Sequence, residues 1–103
     1  MRRNKYNAKK TVVDNITFAS EREAGRYQVL KLLQMAGKIR GLELQPEFKF
    51  SIEGKHIFKY RADFAYFDGS RRIIEDSKGF RTREYILKKK IVEAAYHITI
   101  QEV

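Results

Sequence analysis

Residues 73–79 read Ile73-Ile74-Glu75-Asp76-Ser77-Lys78-Gly79, and a short way upstream stands Arg61-Ala62-Asp63-Phe64. Both stretches have strand character; the paired isoleucines lead into the acidic residues and Gly79 ends the run. Side chains alternate faces along a strand, so Asp76 and Lys78 point to one side and Glu75 to the other. Asp63 joins them if the two strands are neighbours in suitable register, because paired strands lie only about 5 Å apart. Two carboxylates and an ammonium then converge on one face. Leaving that trio unpaired in an apolar interior costs several kcal/mol, so the arrangement calls for an ion pair or a metal ion.

Working outward, Asp68-Gly69 turns the chain between a strand over 58–67 and a strand over 71–78. Upstream, Leu42, Leu44, Phe48, Phe50 and Ile52 alternate with polar residues around Pro46, which predicts one strand with an irregular start, followed by a Glu53-Gly54-Lys55 turn. Ser20-Glu21-Arg22-Glu23 fits a capping box and opens a helix whose Tyr27, Leu30, Leu33 and Gln34 share a face, with Gly37 as its stop. Glu23 lies at the edge of that face. Val12, Val13, Ile16 and Phe18 flank Asp14-Asn15 and predict a short hairpin over 11–18. Downstream, Thr82 caps a helix over 83–95 with an apolar stripe of Leu87, Ile91, Ala94 and Ala95, and a last strand runs over 97–103. The expected order is a hairpin and then α-β-β-β-α-β, an α/β fold with helices packed on a mixed sheet. Residues 1–10, with Arg2, Arg3, Lys5, Lys9 and Lys10 and no acid, read as a flexible basic arm, and 11–103 as a single domain.

The chain has 103 residues, enough for one modest core. Without cysteine there is neither a disulfide framework nor a thiolate zinc site, and two histidines, His56 and His97, are too few for a multi-histidine centre. No apolar run approaches the roughly 20 residues of a membrane span, so the reading is of a soluble, intracellular chain. Twenty-two Lys and Arg against thirteen Asp and Glu leave a net charge of +9, which attracts a polyanion. Nucleic acid is the better candidate, since nothing reads as an amphipathic membrane anchor.

Phosphodiester hydrolysis uses this set of groups. Carboxylates hold Mg²⁺, a hard ion that keeps several waters and binds phosphate oxygens. Mn²⁺ is the expected substitute. The metal acidifies a bound water, and a nearby lysine can orient that water or stabilise developing charge.

Asp63, Asp76-Ser77-Lys78, Glu23 and the α-β-β-β-α-β order together resemble the PD-(D/E)xK nuclease superfamily, which includes restriction enzymes and junction-resolving endonucleases. More narrowly, the chain resembles small phage and prophage proteins of a domain-of-unknown-function family placed in that superfamily. The matching stretches are Tyr6-Asn7-Ala8-Lys9-Lys10, Phe18-Ala19-Ser20, Glu23-Ala24, Leu42-Glu43-Leu44-Gln45-Pro46, Ala62-Asp63-Phe64 and Glu75-Asp76-Ser77-Lys78-Gly79. The resemblance implies a restriction-endonuclease-like core with Asp63 and Asp76 as metal ligands, Lys78 as catalytic lysine and Glu23 as a helix-borne acidic ligand. It also implies Gln45 as a polar residue near the site and a location in the bacterial cytoplasm. Ala62 departs from the proline of the superfamily's name, and Ser77 from the apolar residue common between the acid and the lysine.

Plainer readings stand beside these. A D-x-K triplet also occurs on solvated strands, a capping-box glutamate needs no catalytic role, and Glu75 reads as an outward salt-bridge partner. Lys88, Lys89 and Lys90 form either a solvated face or, with Arg81, Arg83, Lys9 and Lys10, a set of phosphate contacts. Tyr85 packs in the core or stacks near substrate, and both histidines read as surface or packing residues. The leading expectation is an Mg²⁺-dependent endonuclease selective for branched DNA or Holliday junctions in phage recombination, repair or packaging. Two symmetric cuts imply a homodimer. The alternative is a non-catalytic, basic nucleic-acid-binding protein.

Overall fold

A computed structural model of the chain describes residues 9–77 and 81–103. Most of the expected basic arm lies outside that set, and so does the expected catalytic Lys78.

Strands β1 (Thr11–Val13) and β2 (Ile16–Phe18) form the expected hairpin. Asp14 and Asn15 turn it at φ 54° and 63°, the left-handed pair that a two-residue turn requires. Helix α1 (Glu21–Met35) starts where its cap predicts. The Ser20 hydroxyl accepts from the Glu23 N–H at 3.1 Å, while the Glu23 carboxylate reaches back to the Ala19 N–H at 3.3 Å. Gly37, at φ 77°, ends it. Its buried face is Glu23, Ala24, Tyr27 and Leu30. Gln34, expected on that face, is exposed and accepts from the Leu42 N–H at 2.8 Å.

The next strands correct the sequence reading. The single strand expected through residues 42–52 is two, β3 (Arg40–Leu44) and β4 (Glu47–Ile52). Its partner over 58–67 is likewise β5 (Lys55–Arg61) and β6 (Phe64–Asp68). The breaks face each other. Gln45 takes φ 52° and Pro46 has no N–H to give, yet the Gln45 N–H still donates to the Asp63 carbonyl at 2.8 Å and Ala62 N–H to the Pro46 carbonyl at 3.0 Å. One long hairpin therefore bends at this point and leaves its sheet. β4 and β5 form a separate two-stranded ribbon, turned at Glu53-Gly54.

The remaining strands, β7 (Arg71–Asp76) and β8 (Ile100–Glu102), complete a sheet of order β3-β6-β7-β8. It is mixed as expected: β7 and β8 are parallel and the other pairs antiparallel. The crossover between β7 and β8 carries helix α2 (Arg83–Tyr96), capped by Thr82. β8 is shorter than the strand expected over 97–103, because His97 closes α2 in a left-handed conformation and the Glu93 side chain and carbonyl hold the chain as far as Ile100.

Helix α2 is also turned relative to its apolar count. Val92 is fully buried, whereas Leu87 is 59% exposed and Ala94 and Ala95 face outward. Tyr85 and the partly buried stems of Lys88 and Lys89 take the inward places instead. Two cores result. One lies between α1 and the sheet around Leu30, Phe64, Tyr66 and Ile73, and the other, around Ala65, Ile74, Val92 and Ile100, joins the opposite face to α2 and the ribbon. Among the described residues no helix is long and apolar enough to cross a membrane.

Candidate active site

Strand β7 sorts its acids between the two cores. Ile73 and Glu75 face α1, and Ile74 and Asp76 face α2. The predicted separation of Glu75 from Asp76 is observed, but Glu75 is not the outward residue expected. It is 1% exposed, because a helix covers that face too. Arg26 of α1 grips it from Nε at 2.8 Å and from a terminal nitrogen at 2.6 Å, and the Tyr66 hydroxyl donates to it as well. Burial pushes the Glu75 carboxyl up, but the Arg26 and Tyr66 hydrogen bonds outweigh it and hold it below its ordinary value. Burial and Glu75 together push the Tyr66 phenol up to about 12. Glu75 is thereby committed to joining α1 to the sheet.

Asp76 is fully buried on the other face. The Tyr60 hydroxyl, at the base of the ribbon, donates to its Oδ2, and its carbonyl accepts from the Val103 N–H at 3.1 Å. Burial first, and then the carboxylate, raises the Tyr60 phenol far above its ordinary value, so it stays a proton donor. The Tyr60 and Tyr85 rings lie 6.2 Å apart, and Tyr85 donates to Glu102 at 2.8 Å.

Asp63 reaches the same place from the bend. β6 ends at Phe64, which is paired with Glu75, and Asp63 is the next residue, in the bend. The Asp63 N–H donates to the Glu75 carbonyl at 3.0 Å, and its Oδ2 accepts from the Ser77 N–H at 2.7 Å. That side chain thus closes the ladder where the strand ends. Asp63 is thus bonded to the two residues that flank Asp76, at the end of β6 and β7. Gln45 joins the edge of this junction through its bond to the Asp63 carbonyl, and its side chain accepts from Arg61 at 3.3 Å.

Glu23 belongs to the α1 layer, 6% exposed, with its carboxylate on the Ala19 N–H. Among the described residues no group of three or more His, Cys, Asp or Glu side chains is arranged to hold a metal ion. The structure therefore ties Asp63 to the residues on either side of Asp76 but does not gather Glu23 with the two acids into such a group. Lys78, three residues with Gly79 and Phe80 outside the described set, adds no geometry.

The expected phosphate contacts on α2 are partly engaged. Arg81 and Lys89 pair with Glu102 at 3.3 and 3.7 Å, and Lys88 pairs with Glu84 at 3.1 Å. Arg83, Lys90, Lys9 and Lys10 are exposed. Between the ribbon and the start of α2 lies an open groove of about 350 Å³, lined by Lys59, Tyr60, Arg61, Thr82, Tyr85 and Lys88, with Glu84 on its rim. Its tyrosines lead to Asp76. Sequence reasoning passed over Tyr60, Lys59 and Arg61. The period-2 pattern of Phe58 and Tyr60 marked them as neighbours on one face, but the bend that directs Tyr60 to Asp76 is a tertiary feature.

The family described as "Protein of unknown function (DUF1064)" matches residues 3–101. No curated protein and no solved structure matches the chain.

Proposed function

The chain belongs to the DUF1064 family, and from the site it carries we propose that it is a metal-dependent DNA endonuclease of the PD-(D/E)xK type. The observation that carries this reading is that Asp63 bonds the two residues flanking Asp76 at the strand ends, beside a groove lined by Lys59, Arg61 and Lys88. The donor set fits Mg²⁺ or Mn²⁺: both groups offer hard carboxylate oxygens, and Mg²⁺ is commonly held by one or two carboxylates together with waters and substrate phosphate. Asp63 and Asp76 would hold it. Bound there, the ion would acidify water and offset charge on the phosphate.

The chain's own groups supply the rest. Tyr60 fixes the Asp76 carboxylate, the Ser77 N–H fixes that of Asp63, and the groove's cations attract the phosphate backbone. Lys78, second after Asp76 in sequence, is proposed to orient the attacking water. With the ribbon set aside, the chain runs α1, β3, β6, β7, α2, β8, an order that supports a restriction-endonuclease-like core. The proposed substrate is branched duplex DNA, cut by a homodimer in phage or prophage DNA processing in the bacterial cytoplasm.

The test is a cleavage panel of linear, nicked, flapped and four-way DNA with Mg²⁺ or Mn²⁺, against an EDTA control. Metal-dependent cuts, strongest on branched DNA, are expected. If every substrate is bound but left intact, the chain is a basic nucleic-acid-binding module instead.

A further inference from the structure

The β4–β5 ribbon leaves the main sheet with only one face backed. On that face Phe48 meets Tyr96 edge-on at 5.2 Å, Phe50 stacks with Phe58 at 5.4 Å, and the Lys88 ammonium lies 5.5 Å from the Phe58 ring centre. The Tyr96 hydroxyl also donates to the Lys49 carbonyl at 2.7 Å. Helix α2 therefore props the ribbon as a stiff arm.

The opposite face is open and basic. Register pairs Lys49 with Lys59 and Glu47 with Arg61, and strand alternation puts all four on the side away from α2, where each is exposed. Beyond the register shift at Phe50 and Ser51, His56, paired with Ser51, carries this face toward the tip. Glu47 offsets Lys59 and Arg61 at 3.5 and 3.7 Å, while Lys49 makes no ion pair among the described residues. This face continues into the groove beside Asp76, since Lys59 and Arg61 line both.

We propose that the outer face of the ribbon grips duplex DNA on one side of the cut, lying in the major groove; this rests on the reading of the chain as a DNA-acting protein. A two-stranded ribbon fits a groove about 12 Å wide. From Tyr60 to Lys55 it extends about 17 Å at a strand's rise of ~3.3 Å per residue, which is about five base pairs. The ribbon thus holds roughly half a helical turn beside the phosphate that reaches Asp76.

The test compares the wild type with a Lys49→Gln/Lys59→Gln/Arg61→Gln variant, binding a linear duplex in Ca²⁺ across a salt titration, with circular dichroism to confirm folding. The ribbon variant is expected to bind about 10- to 100-fold more weakly, with a salt slope shallower by about 2 to 3. A Lys88→Gln/Lys89→Gln/Lys90→Gln variant on α2 is expected to lose less. Wild-type affinity and slope in the ribbon variant, or a larger loss in the α2 variant, overturn the proposal. Its fate is separable from that of the nuclease reading. Cleavage by a wild type whose binding ignores the ribbon removes only the ribbon's role, whereas ribbon-dependent binding without cleavage keeps the ribbon and removes the nuclease.

Discussion

Tyr60 and Tyr66 each donate a phenolic hydrogen bond to a buried acid of β7, on opposite faces of the sheet. Tyr60→Phe keeps the packing and removes the donor to Asp76. The expected loss is about 1–3 kcal/mol of stability and about 10- to 100-fold in cleavage or metal affinity, read by denaturant unfolding and single-turnover kinetics. Glu75 gives a different signature. Its carboxyl is held below the ordinary 4.5, so its contribution is complete above that pH and is lost as pH falls through the lower folded-state value. Glu75→Gln should cost about 3 kcal/mol near neutrality, at the lower end for a broken buried pair because Arg26 can turn to solvent. Thermal melts of the two proteins should then converge on acidification below about pH 4.5. A gap that stays constant with pH contradicts the assignment. The opposite orientations of Glu75 and Asp76 were legible in the sequence, since alternation is a local rule. Their partners were not, because Arg26, Tyr60 and Tyr66 reach them through packing that no spacing encodes.

At the scale of elements, the turns were the most legible part. Asp14-Asn15 and Gly54 adopt left-handed backbone because those residue types tolerate it, and Ser20 caps α1 through its own hydroxyl. Pro46 was visible as an irregularity, but that the chain changes sheets there depends on the partner break at Ala62-Asp63. The orientation of α2 was misread for a related reason. Counting apolar residues favours Leu87 and Ile91, whereas the seam against the sheet is filled by Val92, Tyr85 and lysine stems. Val92→Ala should therefore cost about 2 kcal/mol, and Leu87→Gln less than about 0.5 kcal/mol, in urea unfolding. Equal costs would mean that the helix is rotated from the orientation described.

For the whole molecule, the net charge of +9 pointed to a polyanionic partner before any fold was known, but not to where that charge is usable. Folding spends Arg81, Lys88 and Lys89 on neighbouring acids and sets Lys49, Lys59 and Arg61 on the exposed outer face of the ribbon. The same bend that projects the ribbon ties Asp63 to the residues flanking Asp76 and directs Tyr60 to the Asp76 carboxylate. The most direct measurement of whether that junction performs chemistry is single-turnover cleavage of four-way DNA in Mg²⁺ by Asp63→Asn and Asp76→Asn, with DNA binding followed in Ca²⁺. Each variant is expected to lose at least about a thousandfold in rate, a loss of roughly 4 kcal/mol in transition-state stabilisation, while binding the junction as well as the wild type. Cutting by both variants at the wild-type rate would contradict the account.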